Sequence, residues 1–347
     1  MTIKNIVSYA AKSPKSQLAR HMISRRDVRD TDVEIDIKYC GICHTDIHFT
    51  KNDLGVTVYP FVPGHEIIGI VTSTGKKVKR FKAGEIVGVG CMVDSCKSCN
   101  SCLENTEQFC ESGVTMTYNS PDLILGGVTL GGYSKKIVVD QHFVLKISKD
   151  LNPEKVAPLL CAGITTYSPL KKFNVKKGQR VGIIGLGGLG HLGIKFASAM
   201  GADVITITSS ENKTEDAFRL GAKDVILSRN ENELKKQINT FDLIINTIPS
   251  DHNITKYLQM LKPKKIMVVV GLTNVNIHTR SLLFGRNKIV GSLIGGIKET
   301  QEMLDFSAIH NVEADVELIK AKDINKTFER IEKNNVKYRA VIDINSL

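Results

Sequence analysis

Gly185-Leu186-Gly187-Gly188-Leu189-Gly190 is entered through Arg180-Val-Gly-Ile-Ile184 and left through His191-Leu-Gly-Ile-Lys-Phe-Ala197. The run before the glycines is short, apolar and β-branched, as a buried strand is. After them Leu189, Leu192, Phe196 and Met200 recur at helical spacing on one face. The chain therefore runs strand, tight glycine turn, helix. In that setting the glycines close the turn and let backbone N–H groups approach a pyrophosphate, whose charge the helix N-terminus favours. The pattern predicts dinucleotide binding.

Working outward, strands are expected at Arg180–Gly185, Val204–Thr208, Asp224–Leu227, Asp242–Thr247, Ile266–Gly271 and Lys288–Leu293. Helices are expected between them, including Thr214–Leu220, Glu231–Ile238 and Asn253–Leu261. Such alternation predicts an α/β fold with a doubly wound parallel sheet. The first 150 or so residues read differently. Val33, Ile35, Ile37 and Tyr39 alternate with polar residues. Apolar runs follow at Glu66–Val71, Glu85–Val89, Lys136–Val139 and Phe143–Ile147, separated by Gly, Pro and Asp turns, so a compact β-rich domain is expected. Asn152-Pro-Glu-Lys opens the change of style. The tail offers helices at Glu299–His310 and Ile324–Lys333, then a strand over Tyr338–Asp343 that is expected to return to the first domain. The predicted division is 1–152, 153–294 and 295–347 as the return, with a cysteine lobe over about 91–115.

The 347 residues carry a net charge of +11, but the lysines are scattered in pairs such as Lys76-Lys77 and Lys264-Lys265. With aromatics at 6% and no Trp, base-stacking platforms are sparse, so no nucleic-acid partner is expected. An anionic ligand such as a phosphorylated cofactor accounts for part of the basic balance. No run is long enough to span a bilayer, and Met1-Thr-Ile-Lys-Asn lacks the apolar core of an export signal, so a cytoplasmic setting without membrane contact is expected. In such a chain eight cysteines argue for metal ligands rather than disulfides.

Cys96, Cys99 and Cys102 are separated by two-residue gaps, and Cys110 follows after seven residues. Four sulfurs suit one tetrahedral zinc and leave no position for substrate, so a structural site is expected. An Fe–S cluster is the rival, but the last gap is longer than in the bacterial ferredoxin run and no Pro follows Cys110. A second set is more dispersed: Cys40-Gly-Ile-Cys43-His44-Thr45-Asp46-Ile-His48, then Gly64-His65-Glu66, then Cys161 far downstream. Two Cys and one His form a known catalytic zinc set with an open position. Taken singly, Cys161 amid Ala, Pro and Leu reads as a small core residue, and spacing leaves open whether Cys40 or Cys43 binds.

Together the Cys-His-Thr-Asp and Gly-His-Glu motifs, the four-cysteine lobe, Leu160-Cys161-Ala-Gly-Ile-Thr-Thr-Tyr167 and the glycine turn resemble the zinc-dependent medium-chain alcohol dehydrogenases. Thr50-Lys-Asn-Asp53 and Gly291-Ser-Leu-Ile-Gly-Gly-Ile-Lys-Glu-Thr300 resemble the cinnamyl-alcohol-dehydrogenase branch. The resemblance covers essentially the whole chain. It implies a GroES-like catalytic domain interrupted by a Rossmann domain, two zinc ions per chain, and a homodimer joined through edge strands, with Lys288–Leu293 as the seam. It assigns Cys43, His65 and Cys161 to the catalytic zinc with Glu66 as an alternate ligand, leaves Cys40 a strand residue, and gives Asp46 the role of orienting His65.

The resemblance further implies that zinc activates an alcohol or polarises an aldehyde while hydride moves to or from the nicotinamide. Thr45 begins a proton relay that passes the cofactor ribose to His48 or Asp53. Cofactor contacts carry over to His44, Thr45, Thr165, Gly185, Leu186, Gly187, Gly188, Leu189, Gly190, Thr247, Gly271, Ser292, Leu293 and Ile294. The second strand ends in Thr208-Ser209-Ser210-Glu211-Asn212-Lys213, with small hydroxyls where NAD enzymes place an acid and with Lys213 able to pair with a 2′-phosphate. NADP(H) is therefore expected, although the same hydroxyls could cap the next helix. Plant enzymes of the branch carry a pocket Trp after the last lobe cysteine. Here Thr115 or Met116 stands there instead, and the chain looks more like the bacterial and fungal members that reduce a broad range of aliphatic and aromatic aldehydes. The alternatives are a polyol or threonine dehydrogenase of the same superfamily, or a zinc-dependent nucleic-acid-binding or redox-sensing protein. The last would leave the glycine turn, His65 and Cys161 unexplained.

Overall fold

The glycine turn closes the central strand of a six-stranded, all-parallel sheet in the computed structural model, which describes residues 4–347. The strands lie in the order Asp224–Leu227, Asp203–Thr208, Arg180–Ile184, Phe241–Asn246, Leu261–Val269, Lys288–Gly291. Arg180–Ile184 pairs with Asp203–Thr208 on one side and Phe241–Asn246 on the other. The strand order thus reverses at the turn, which is where such sheets bind ligands. These elements belong to a compact unit, Ala162–Ile294. Its core includes Ile184, Ile205, Ile207, Phe241, Ile244, Leu258 and Met267, all buried. The helix after the turn, Gly190–Ala199, buries Leu192, Ile194, Phe196 and Ala197 completely.

One local expectation changes here, and one helix lies where none was expected. The helix expected over Asn253–Leu261 is a single turn, Thr255–Leu258, and Leu261 already pairs with Phe241 as the start of the next strand. Lys262 precedes Pro263, and the residue before a proline is pushed out of the helical region toward β. Conversely, Ala162–Lys172 is helical although it contains Gly163, two threonines and Pro169. Every residue from Ala162 to Leu170 is buried, so packing overrides weak propensity.

The other unit runs to Cys161 and resumes at Gly295–Leu347. The boundary follows the short helix Pro153–Val156, capped by the Asn152 side chain, and the 3₁₀ turn Ala157–Leu160, both of which stay with this unit. Its seven-stranded sheet is organised on Asp32–Ile42. The first half of that strand pairs with Lys136–Asp140, its length with Ile67–Thr74, and its last residues with Arg339–Asp343, all antiparallel. Val316–Lys320, whose strand character the sequence reading did not pick out, pairs in parallel with Arg339–Asp343.

The expected alternation holds for Val33, Ile35 and Ile37 but not for Tyr39, which is only half-buried while Cys40 and Ile42 are buried. A register shift between Ile37 and Tyr39 inserts one residue and changes which parity faces the core. Cys40 is consequently a fully buried strand residue, and the strand ends at Ile42, one residue before Cys43.

Candidate metal centres and cofactor turn

Cys96, Cys99, Cys102 and Cys110 bring their sulfurs within 4.8 Å of one another. The loop folds around them by backbone donation to sulfur: Cys99 N to Cys96 Sγ at 3.3 Å, Cys96 N to Cys110 Sγ at 3.4 Å, and Glu111 N to Cys99 Sγ at 3.4 Å. Hydrogen bonds to the charged form favour it, and the backbone donors of Ser98 and Cys99 draw the Cys96 thiol down to about 5. Four sulfurs so placed could hold one zinc ion, and a closed S₄ set suits a structural one. Glu107, a residue with no motif around it, anchors the lobe: buried to 1%, it meets His142 Nε2 at 2.8 Å and accepts from Ile297 N at 3.0 Å.

Cys43, His65, Glu66 and Cys161 likewise bring one ligand atom each within 4.8 Å of the others. Three segments supply them. Cys43 is the N-cap of the helix His44–Lys51, His65 and Glu66 lead into the strand Ile67–Thr74, and Cys161 ends the 3₁₀ turn Ala157–Leu160. The donor set is soft and mixed, two sulfurs, one imidazole and one carboxylate, as catalytic zinc takes. Cys40 is buried with its thiol pushed up, chiefly by burial, and is not in the set.

Around these groups, Asp46 is wholly buried and holds the corner together. Its carboxylate accepts from Cys43 N at 2.9 Å, Gly64 N at 3.1 Å and Tyr133 Oη at 3.2 Å, and faces His65 Nδ1 at 3.2 Å. Glu66 is fully buried and ion-paired to Arg339 on the strand Arg339–Asp343. Burial raises its carboxyl to about 7, with the Arg339 guanidinium pulling the other way. A Cβ at residue 41 would lie 1.9 Å from Glu66 Oε2, so only glycine admits that carboxylate. That oxygen has no hydrogen-bond partner within the protein, as a group reserved for a cation would.

Thr45 Oγ1 lies 3.5 Å from Cys43 Sγ and is exposed, as is His44. His48 Nδ1 meets Asp53 Oδ2 at 2.7 Å, with side chains 45% and 47% exposed, so that pair stands in contact with solvent.

In the second unit the turn is shaped as a phosphate site requires. Gly185 has φ +92°, and a Cβ on Gly190 would lie 1.9 Å from the Gly185 carbonyl. A Cβ on Gly187 would meet nothing within 4 Å, so that face of the backbone is open. Lys213 Nζ donates to the Leu186 carbonyl at 2.8 Å, which puts the one cation of Thr208–Lys213 beside the turn, while Ser209 and Glu211 are exposed. Thr208 Oγ1 accepts from Ser210 N, and Ser210 makes no side-chain cap, so the helix-capping role falls away for it. Thr247 donates to the Ile184 carbonyl at 2.8 Å and so braces the turn. Gly271 packs against the Ile248 backbone, Thr165 is buried, Ser292 is half-buried, Leu293 is exposed and Ile294 is buried.

The alcohol dehydrogenase GroES-like domain family matches residues 29–149, and the zinc-binding dehydrogenase family matches residues 188–308. The aldehyde reductase YahK of Escherichia coli is 47% identical over 100% of this chain and 99% of its own. The chain belongs to the zinc-binding alcohol dehydrogenases. Among solved structures, a cinnamyl alcohol dehydrogenase from Sorghum bicolor superposes with a TM-score of 0.95 at 41% identity, covering 99% of this chain and 98% of that one. CAD from Helicobacter pylori complexed with NADP(H) does so with 0.92 at 42% identity, covering 99% of each. This dehydrogenase is thus an oxidoreductase of the alcohol dehydrogenase and aldehyde reductase type, with a GroES-like domain and a Rossmann-like sheet. No helix among the described residues is long and apolar enough to cross a membrane.

Four residues of the dehydrogenase's centres carried no local sequence mark: Tyr118, Tyr133, Arg339 and Glu107. Their partners lie far along the chain, 53 residues away for Tyr118 and 273 for Arg339. Only the polar character of a residue inside an otherwise apolar strand, as at Arg339 before Ala-Val-Ile, could have marked one of them.

Proposed function

We propose that this chain interconverts primary alcohols and aldehydes, aromatic, cinnamyl-type and aliphatic, with NADP(H) as hydride partner and zinc at both cysteine centres. The convergence of Cys43, His65, Glu66 and Cys161 within 4.8 Å carries the reading. Zinc held by such a set supplies Lewis acidity, lowering the pKa of an alcohol or polarising a carbonyl, and the nicotinamide supplies or accepts the hydride. The chain's own residues do the rest. Cys43, His65 and Cys161 hold the metal, and Glu66 stands by as a fourth donor paired with Arg339. Asp46 fixes the His65 ring. Thr45 Oγ1 accepts the substrate's hydroxyl proton as it releases its own along a relay to the exposed His48–Asp53 pair, which passes a proton to solvent. Gly185–Gly190 receives the pyrophosphate, and Lys213 with Ser209 and Ser210 receives a 2′-phosphate.

NADP(H) is further supported by the relative solved with it and by the absence of an acid at the end of Asp203–Thr208. A homodimer is supported by the outer strand Lys288–Gly291 and by Leu283, Phe284 and Leu293, which are 71%, 82% and 54% exposed. Eight cysteines without a disulfide accord with a reducing, cytoplasmic setting. The test is a steady-state panel of aldehydes against sorbitol and threonine, run with NADPH and NADH and with and without chelator. Aldehyde reduction that prefers NADPH and dies with chelation is expected; equal turnover with NADH would remove the cofactor assignment. Ser209→Asp should move preference toward NAD by about 10²-fold, since like charges set together cost several kcal/mol.

A further inference from the structure

Tyr118 lies beyond every motif, yet it touches the metal-ligand set. Its hydroxyl oxygen is 3.0 Å from His65 Nδ1, against 3.2 Å for the nearer Asp46 oxygen. Tyr118 is 6% exposed and packs edge-on against Phe49, Phe61 and His65 at ring separations of 5.3, 5.1 and 5.3 Å.

The chain path explains why it is held there. The cysteine lobe opens at Cys91, after the strand Ile86–Val89, and closes at Thr117, and the two ends are tied by Thr117 N to Cys91 O at 2.9 Å and by the Thr117 hydroxyl to Gly90 O. Cys91 at the outgoing end donates its thiol to the carbonyl of Leu160, the residue before Cys161, and Tyr118 at the incoming end meets His65. One end of the lobe's neck therefore rests on a residue of the other centre and the other end on the backbone beside one.

We propose that Tyr118 is a positioning residue. It shares the Nδ1 proton of His65 with Asp46, fixes which ring nitrogen is left for metal, and ties the affinity of that site to the neck of the lobe. The inference rests on the reading of His65 as a metal ligand given above. Partners of this kind are worth 10–100-fold in metal affinity.

The experiment compares the full-length protein with Tyr118→Phe, which keeps the ring packing and removes the hydroxyl. Competition with a chelator, and visible spectra after cobalt replacement, read the site directly. The variant should lose about 10–100-fold in affinity for the ion removed first and show shifted cobalt bands, with its lobe ion and melting temperature kept. Equal affinity with unchanged bands in Tyr118→Phe would overturn the proposal. Wild-type protein that holds only one ion per chain would overturn the metal assignment instead, so the two failures differ. A second measurement needs no variant: the His65 Nδ1 proton should give a slowly exchanging resonance with a cross-peak to the Tyr118 ring, and a rapidly exchanging proton without that cross-peak would count against it.

Discussion

The lobe takes its four sulfurs from one loop, Cys96–Cys110, while the other centre draws Cys43, His65 with Glu66, and Cys161 from three separated segments of the same unit. The first can be assembled by local chain geometry, with backbone N–H groups turned onto sulfur. The second exists only once the strand Asp32–Ile42 has its neighbours, because Cys43 follows that strand and Arg339 and Glu66 meet across its last residues. A local S₄ knot serves shape. A set with mixed donors and a buried unpartnered carboxylate oxygen serves chemistry.

The sharpest way to break this contrast is Cys161→Ser. It removes one donor from the dispersed centre without touching the sheet, so kcat/KM should fall by about 10⁴-fold, ~5.4 kcal/mol on the barrier, with the fold unchanged by circular dichroism. Metal analysis should show the lobe ion alone. Activity surviving in the metal-depleted variant would mean the centre is not where the reaction occurs.

Next in size is Arg339→Met. It removes the guanidinium that pulls the buried Glu66 carboxyl down, so that group stays buried without its partner and rises further, and breaking such a pair costs about 3–5 kcal/mol. Denaturant titration should show that loss, and adding Glu66→Leu should recover most of it. If the double variant is no more stable than the single one, the pair is not what holds the dispersed centre against its strand.

How much of this was readable beforehand follows the same contrast. The lobe could be picked out because its ligands repeat at short, regular gaps that no strand or helix needs. Cys161 could not, because its neighbours Ala157, Leu159 and Leu160 are core residues and a thiol among them reads as one more. It entered only through the likeness of the whole chain to a family. The choice of Cys43 over Cys40 turns on a one-residue register shift before Tyr39, which alternation of apolar residues does not reveal. The parallel sheet was legible because its strands are continuous β-branched runs, whereas the helix Ala162–Lys172 is made by burial rather than by propensity.

Asp32, at the far end of the strand that leads to Cys43, separates global stability from site geometry. Burial alone would raise its carboxyl, but hydrogen bonds from Arg29 and Arg26 outweigh that and hold it well below the usual carboxylate range. A depressed folded value means stability that is present above the unfolded value of about 4 and is lost as pH falls through the folded one. Asp32→Asn should therefore cost roughly 2 kcal/mol at neutral pH and progressively less below about pH 4. Both metal ions should stay in place. A stability loss that does not shrink in acid would show that the arginine contacts are not electrostatic in origin.

The smallest effect on turnover is expected where the metal content also changes, at Cys102→Ser. With one of four sulfurs replaced, the lobe should lose its ion and become open to proteolysis between Cys96 and Cys110. At saturating zinc, kcat should stay within about tenfold of wild type, ~1.4 kcal/mol, because none of Cys43, His65, Glu66 or Cys161 lies on that loop. Limited proteolysis with metal analysis and kinetics on one sample reads all three quantities. A loss as deep as that of Cys161→Ser would mean that the neck at Cys91 and Thr117 does not isolate the lobe from the dispersed centre. The local knot would then be part of the reaction's machinery rather than a brace beside it.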